Sequence, residues 1–155
     1  MKEKTLSVSA IKEGTVIDHI QAGQALKIIR LLGFAANENR VTVGLNLKSH
    51  STGLKDIIKI ENVFLTESQA ARIAIFSPSA TVNVIENYKV AKKFRVRMPE
   101  AIAAVLFCPN TRCITNAETV STFFTVEENQ TQIALRCKYC EKIFPRDATK
   151  EKAPS

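Results

Sequence analysis

The feature that most constrains the fold of this chain is a set of four cysteines in its last third. They form two close pairs, Cys108 with Cys113 and Cys137 with Cys140, and these are all the cysteines of the chain. Close pairs on tight loops can place four thiolates at the corners of a tetrahedron around one zinc ion. The spacing therefore predicts one zinc per chain. Its role is structural, because four thiolates leave no open position for water or substrate.

Other interpretations of the thiols stay open on spacing alone: two disulfides, a redox pair at Cys137–Cys140, or an iron–sulfur cluster. Disulfides are disfavoured because the start Met1-Lys-Glu-Lys does not resemble a secretory signal, so we expect a reducing, cytoplasmic compartment. No apolar run approaches the roughly 18 residues of a membrane span. We therefore expect a soluble protein without membrane contact.

The size of the cysteine-bearing segment explains why a metal is needed. Met98-Pro99-Glu100 is the predicted boundary, which gives domains at 1–98 and 99–155. So small a segment, with a frayed end expected from Ala148 onward, buries too little surface to be stable unaided. Bound zinc contributes on the order of 10–16 kcal/mol to such folds.

Alternating and helical patterns predict an α+β fold. The order β-α-β-β-α-β with one extra strand indicates a split βαβ (ferredoxin-like) antiparallel sheet with both helices on one face, followed by a small antiparallel zinc-binding β domain. The capping-box pattern Thr66-Glu-Ser-Gln69 begins the second helix, which extends through Phe76. The first helix is predicted at Gln24–Leu32, with Gly33 as its C-cap. Turns are predicted at Ser49–Gly53 and Glu127–Gln130. The strands are predicted at Thr15–Ile20, Val41–Leu47, Ile57–Phe64, Thr81–Asn87, Val90–Arg97, Ala101–Phe107, Ser121–Val126 and Thr131–Leu135.

Alternation along the strands also predicts which side chains share a face. Asn83 and Ile85 are expected on the face opposite Val82 and Val84. In the next strand the apolar face is predicted to be Val90, Phe94 and Val96, and the opposite face Lys93, Arg95 and Arg97.

The distribution of charge separates the two segments. Residues 1–98 carry 15 basic and 8 acidic side chains, whereas residues 99–155 carry 7 of each. A zinc ribbon that reads nucleic acid is expected to have its own basic patch. The neutral zinc segment therefore argues against a nucleic-acid partner.

Motifs for catalysis are absent from the sequence. It has no Walker A pattern, no Gly-x-Gly-x-x-Gly and no His-Glu-x-x-His, so an enzyme is not expected. Binding is better supported, because an open sheet face can present together the polar groups Asp18, His19, Lys59, Asn83 and Lys93. The alternative is that the basic residues of the last strand only protect an edge of the sheet from aggregation.

A series of short segments resembles the regulatory chain of aspartate carbamoyltransferase. The likeness runs in order from about residue 10 to 146 and includes the spacing of the cysteines. It is carried by Gly14-Thr-Val-Ile-Asp-His-Ile20, Gly44-Leu-Asn-Leu47, Lys55-Asp-Ile-Ile-Lys-Ile-Glu-Asn62, Ala80-Thr-Val-Asn83, Asn87-Tyr88 and Cys137-Lys-Tyr-Cys-Glu-Lys142.

The resemblance implies a non-catalytic, allosteric subunit of a cytoplasmic enzyme of pyrimidine biosynthesis. Its N-terminal domain would bind CTP and UTP as inhibitors and ATP as an activator, and its zinc domain would dock on the separate catalytic chain. Pairs of regulatory chains would form homodimers through the N-terminal domain. Three such dimers would bridge two catalytic trimers into a dodecamer.

Carried over position by position, the resemblance also implies roles for individual residues. Ala10 and Ile11 would contact the base through the backbone, and Ile85, Tyr88 and Val90 would line or hydrogen-bond it. Asp18 and Lys59 would hold the ribose, while His19, Asn83 and Lys93 would reach the phosphates. The zinc ligands would be Cys108, Cys113, Cys137 and Cys140. Asn110 and Lys142 would contact the catalytic chain. Lys55 would belong to a neighbouring region for a second nucleotide.

One position departs from the family pattern. Arg112 stands in the first zinc loop where an asparagine of the catalytic-chain interface is expected. Two other classes of function are alternatives to the regulatory one: a nucleic-acid-binding zinc-ribbon protein with a basic N-terminal domain, and a thiol redox protein.

Overall fold

A computed structural model of the chain describes residues 10–33, 38–50, 53–128 and 132–152. The chain divides into two units, Met1–Arg97 and Met98–Ser155. In chain order the elements of the first unit are β1 (Gly14–Gln21), α1 (Ala25–Leu32), β2 (Val41–Ser49), β3 (Gly53–Glu61), α2 (Glu67–Phe76), β4 (Thr81–Glu86) and β5 (Lys89–Arg95). Those of the second are β6 (Ala101–Ala103), α3 (Ile114–Ala117), β7 (Phe123–Glu128), β8 (Ile133–Cys137) and β9 (Ile143–Pro145).

The first unit is a five-stranded antiparallel sheet in the order β2-β3-β1-β4-β5. The helices α1 and α2 contact each other, and α1 also contacts β3. Alternate strand residues such as Ile17, Ile58 and Val82 are almost fully buried. The predicted split βαβ sheet with one added strand, and the α+β class, are therefore confirmed.

Local signals at the helix ends act as the sequence predicts. Gly33 ends α1 in the left-handed conformation, with φ of 71°, and its N–H donates to the carbonyl of Ile29. Thr66 begins α2 with a complete capping box, because its hydroxyl accepts from the Gln69 N–H and the Gln69 side chain accepts from the Thr66 N–H.

The bounds of β3 differ from the prediction of Ile57–Phe64. The strand begins at Gly53 and ends at Glu61, because Asn62 has a φ of 62° and turns the chain out of the sheet. Residues 51 and 52 of the predicted turn Ser49–Gly53 lie outside the described residues.

The predicted faces of β5 are wrong for Val90. A bulge interrupts the pairing of β4 with β5: Val84 pairs with Lys92, but Ile85 pairs with Val90, so Ala91 is an extra residue. One extra residue reverses the alternation. Val90 and Lys93 consequently lie on the same face as Ile85 and Asn83, and Lys92 lies on the other.

The second unit is a four-stranded antiparallel sheet in the order β6-β7-β8-β9. Leu106, Phe124 and Leu135 are fully buried in its core. The predicted strand Ala101–Phe107 stops at Ala103, since Ala104 has a φ of 61°, and β9 was not predicted. Residues 129–131 of the predicted turn and following strand lie outside the described residues.

The prediction of a frayed end from Ala148 is wrong as far as Lys152. Leu106 and Glu151 form an isolated antiparallel bridge. The N–H of Phe107 donates to the carbonyl of Lys150, and the N–H of Lys152 donates to the carbonyl of Val105. Thr149 is buried, so residues 149–152 belong to the fold of the second unit.

Replacing the cap of α2, Thr66→Ala, is expected to lower the free energy of unfolding by about 1 kcal/mol, because an N–H of the first turn loses its acceptor. Ser68→Ala, in the same turn but exposed, serves as the control and should change it by less than about 0.5 kcal/mol. Urea denaturation of both variants measures the difference. Equal effects would contradict the role of the cap.

Candidate functional site

The four cysteines converge in the second unit. Their sulfur atoms all lie within 4.8 Å of one another, with 3.7 Å between Cys108 and Cys140 and 3.8 Å between Cys113 and Cys137. A tetrahedron with metal–sulfur bonds of about 2.3 Å has edges of about 3.8 Å. These distances fit a single metal ion, and all four cysteines are free thiols.

Hydrogen bonds shape the first metal loop. The side-chain amide of Asn116 donates to the carbonyls of Cys108 and Asn110 at 3.0 and 2.8 Å. The N–H of Cys113 donates to the carbonyl of Asn110. The loop is thus held from within by the residues between its two cysteines and by the short helix α3.

The second loop follows the end of β8. Cys137 is fully buried and pairs with Phe124 of β7. Its carbonyl accepts from the N–H of Glu141, and its N–H donates to the carbonyl of Lys142. Glu141 takes a φ of 62°, which closes the turn and brings Cys140 back beside Cys137.

The environment of the thiols favours ionisation at two of them. Burial raises the pKa of Cys113, but the hydroxyl and N–H of Thr115 outweigh it and lower this pKa to about 7. The pKa of Cys140 is also lowered: burial opposes this, and hydrogen bonds from the Lys142 backbone and the Asn110 side chain outweigh burial. Burial raises the pKa of Cys108 and of Cys137. Those two thiols must lose their protons as the metal binds.

The residues predicted for an interface lie in the metal loops. The side chain of Asn110 accepts from the N–H of Arg112 at 3.1 Å and also bonds Cys140, so it links the two loops. Arg112 and Lys142 are exposed. Their role in contacting another chain stays a prediction.

The open face of the first unit carries a row of side chains in register. Val16 of β1 pairs with Lys59 of β3 on one side and with Asn83 of β4 on the other. Asn83 in turn pairs with Lys93 of β5. Neighbouring strands are about 4.8 Å apart, so this row crosses about 14 Å of the sheet.

A cleft of about 300 Å³ lies over this row. It collects nearly all the residues that the resemblance assigned to a nucleotide, and His19 is the exception. The predicted residues that line it are Ala10, Ile11, Asp18, Lys59, Asn83, Ile85, Tyr88, Val90 and Lys93.

A bulge in β1 positions Asp18 and His19. The pairing with β3 shifts between Ile17 and Ile20, and His19 has a φ of 56°. His19 lies beside the cleft, with Nδ1 3.1 Å from the hydroxyl oxygen of Thr81 and 3.9 Å from the Asp18 carboxylate. Asp18 forms an ion pair with Lys55, at 3.0 Å from Nζ.

The charges in the cleft favour an anionic ligand. Burial opposes the ionisation of Asp18, but Lys55 and the N–H of His19 outweigh it, so the pKa of Asp18 is lowered. Desolvation lowers the pKa of Lys59, and the charge of Asp18 counteracts it. Lys59 and Lys93 line the cleft together with Asp18, and Lys55 is ion-paired to Asp18. Basic side chains therefore outnumber the carboxylate, and the cleft has an excess of positive charge.

Two residues of the cleft were missed by sequence reasoning. Val16 and Ile57 line it with apolar side chains. The alternation along the strands could have indicated them, because residues two apart lie on the same face of a sheet. Val16 is two residues from Asp18, and Ile57 is two residues from Lys59. Neither side chain has polar chemistry that would single it out.

The helices of the described residues are all too short or too polar to cross a bilayer.

Fold and sites together define an α+β protein with a sheet domain that carries a cleft on one face and a second domain with a four-cysteine metal site. A family model described as aspartate carbamoyltransferase regulatory chain, allosteric domain, matches residues 6–97. A second, for the metal binding domain of the same chain, matches residues 100–150. The chain belongs to the family of aspartate carbamoyltransferase regulatory chains.

Curated relatives with this description match along nearly their whole length. That of Vibrio cholerae serotype O1 is 50% identical over 150 residues, which cover 97% of each chain. That of Photobacterium profundum is 50% identical over 151 residues, 97% of this chain and 98% of the relative. That of Aeromonas hydrophila is 49% identical over 153 residues, which cover 98% of this chain and 99% of the relative.

These matches confirm the predicted family, with an allosteric and a metal-binding domain. They also confirm that the chain is the regulatory and not the catalytic chain of the enzyme. They favour this interpretation over a nucleic-acid-binding zinc ribbon or a thiol redox protein.

Removing the metal with an organomercurial is expected to release one ion per four thiols and to unfold the second unit, because the metal joins its two loops. Elemental analysis measures the metal, and hydrogen exchange measures the loss of protection in β7 and β8. Amides of β1, β3 and β4 serve as the internal control and should stay protected. Unchanged protection in β7 and β8 would contradict a structural metal.

The lowered pKa of Asp18 predicts a contribution to stability with a defined pH dependence. This contribution is fully present above the usual value of 3.8 and is lost as the pH falls through the lowered value in the folded chain. The difference in unfolding free energy between the native chain and Asp18→Asn should therefore shrink in that range. Urea denaturation from pH 6 to about pH 2.5 measures it, and a difference that stays constant would contradict the ion pair.

Proposed function

We propose that the cleft of the first unit binds nucleoside triphosphates, and that their binding controls a catalytic chain on which the second unit docks. The observation that carries this proposal is the row Lys59, Val16, Asn83 and Lys93, with Asp18 beside it. CTP and UTP are proposed as inhibitors and ATP as an activator, as the family resemblance implies.

The cleft has three chemically distinct parts that suit a nucleotide. Ile11, Ile85 and Val90 form an apolar end for the base, beside the exposed ring of Tyr88. Asp18 and Lys59 suit the hydroxyl groups of a ribose. Lys93 and the Asn83 amide suit phosphates, since ammonium groups make charge-assisted hydrogen bonds to phosphate oxygens.

Opposite effects of two nucleotides at one cleft require a difference in affinity. A ligand shifts an equilibrium between two quaternary states only by the ratio of its affinities for them. CTP is proposed to bind the less active state more tightly and ATP the more active one. The base is the part in which they differ, so the discrimination arises at the apolar end.

Zinc is the metal proposed for the four-cysteine site, at one ion per chain. Four thiolates in a tetrahedron suit zinc or iron, and zinc has no redox chemistry to disturb a structural role. Reduced thiols also suit the cytoplasm, where we place the assembly.

Docking on the catalytic chain is proposed for the surface around the metal loops. Both loops carry exposed apolar side chains, Ile114 beside Cys113 and Tyr139 beside Cys140. Asn110, Arg112 and Lys142 add polar and basic groups to the same loops. Aromatic and arginine side chains are enriched at protein interfaces.

A homodimer is proposed to form through β2. The outer strands of the sheet are β2 and β5. β5 is strongly basic, which protects an edge, whereas Val41–Leu47 of β2 carries no charge and exposes Leu45. Two copies paired along β2 around a two-fold axis would have two docking ends. Three such dimers can therefore bridge two catalytic trimers.

The nucleotide proposal is tested by Lys93→Ala, which is expected to weaken the binding of ATP about tenfold through the loss of one charge-assisted contact. Lys92→Ala is the matched control, because Lys92 is the neighbouring residue on the opposite face and should change the Kd by less than about twofold. Calorimetric titration of the full chain measures both. Equal losses in the two variants would point to general electrostatic attraction and against this cleft.

The dimer proposal is tested by Leu45→Lys, which is expected to convert the dimer into a monomer by placing a charge on the β2 edge. Ala91→Lys makes the same change on the β5 edge and should leave the dimer intact. Sedimentation equilibrium gives the mass of each variant. A dimer that survives Leu45→Lys, or is lost with Ala91→Lys, would place the interface elsewhere.

A further inference from the structure

Gly44 occupies a crowded position on the cleft face of β2. It pairs with Ile57 of β3. A Cβ atom at this position would lie 2.9 Å from Cγ2 of Ile57 and 2.9 Å from Cδ1 of Leu47. The φ of Gly44 is outside the left-handed region, so glycine is required here by space and not by backbone conformation.

The two crowded side chains differ in their freedom to move. Cδ1 of Leu47 is the far end of a flexible side chain and can rotate away. Cγ2 of Ile57 is attached directly to Cβ, so it moves only if the stiff χ1 angle or the strand itself moves. A methyl group at position 44 would therefore displace Ile57 away from β2.

The direction of that displacement leads into the cleft. Ile57 lines the cleft together with Asp18 and Lys59. Since Ile58 pairs with Ile17 of β1 and Asp56 pairs with Ile20, Ile57 lies opposite the bulge formed by Asp18 and His19. Moving Ile57 away from β2 narrows the cleft beside the Asp18 carboxylate.

We infer that Gly44 is a positioning residue for the ligand cleft, because it leaves the space in which Ile57 rests and so sets the width between Ile57 and Asp18. This inference rests on the proposed function, in which the sugar of the nucleotide is held at Asp18 and Lys59. Gly44 lies on the outer strand and outside the cleft lining, so its effect on the cleft passes through Ile57.

The inference has a specific consequence for ligand preference. The sugar is common to ATP and CTP, whereas the base is not. Narrowing the cleft at the sugar should weaken both nucleotides by the same factor. A substitution at the apolar end, around Ile85 and Val90, should instead change the affinities for ATP and CTP by different factors.

A double-mutant cycle on the full-length chain with its metal tests the inference. Gly44→Ala is expected to raise the Kd of ATP and of CTP about tenfold each, measured by calorimetric titration. In the Ile57→Leu background, which removes the branch at Cβ, Gly44→Ala should raise each Kd by less than about threefold.

Gly53→Ala is the control for a general loss of stability. Gly53 has a φ of 84° and no atom within 4 Å of an added Cβ, so alanine strains the backbone without touching the cleft. It should lower the unfolding temperature and leave both Kd values within about twofold.

The outcomes separate the inference from the function on which it rests. If the native chain binds neither nucleotide, the proposed function and the inference both fail. If the native chain binds them but Gly44→Ala leaves the Kd unchanged, only the inference is overturned. It is equally overturned if Gly44→Ala weakens binding to the same extent in both backgrounds, or weakens ATP and CTP by different factors.

Discussion

The pairing of β1 with both β3 and β4 is the constraint on which the ligand cleft depends. Val16 lies between Lys59 and Asn83 in this register, so a slip of one residue would send both polar groups to the helix side of the sheet. The register is held by the opposite face, where Ile17, Ile58 and Val82 are almost fully buried. Packing of the hydrophobic core thus determines where the polar groups of the cleft lie.

Bulges in the strands change the positions of individual side chains within this register. One in β1 places Asp18 and His19 at the edge of the cleft, and one in β5 brings Val90 to the face that carries Lys93. A third interrupts the pairing of β2 with β3 just after Gly44. The first two irregularities border the cleft, in keeping with the tendency of bulges to lie next to functional sites, whereas the third lies outside its lining.

The two units are stabilised in different ways. The first has a continuous core between two helices and a sheet. The second has few large buried side chains, chiefly Leu106, Phe124 and Leu135, and joins its loops through four thiols. The exposed side chains of Arg112, Tyr139 and Lys142 lie on these metal loops.

Much of this could be predicted from the sequence, for physical reasons that differ by feature. The Thr66 cap, the Gly33 stop and the close cysteine pairs are local signals, and the structure confirms each of them. The face of Val90 could not be predicted, because the bulge at Ala91 depends on pairing with β4. The pairing of residues 149–152 with the rest of the second unit was not predicted, because their partners around Leu106 lie more than forty residues earlier in the chain. Val16 and Ile57 were missed because apolar cleft residues resemble core residues in a sequence.

We propose above all that nucleotide binding in the first unit changes the activity of a separate catalytic chain. The most direct measurement is the dependence of activity on aspartate concentration for catalytic trimers reassembled with this chain, with and without CTP or ATP. The account predicts that CTP raises and ATP lowers the aspartate concentration at half-saturation, and that Lys93→Ala reduces both effects while the maximal rate stays the same. Nucleotide effects that are unchanged by Lys93→Ala, or turnover by this chain alone, would contradict it.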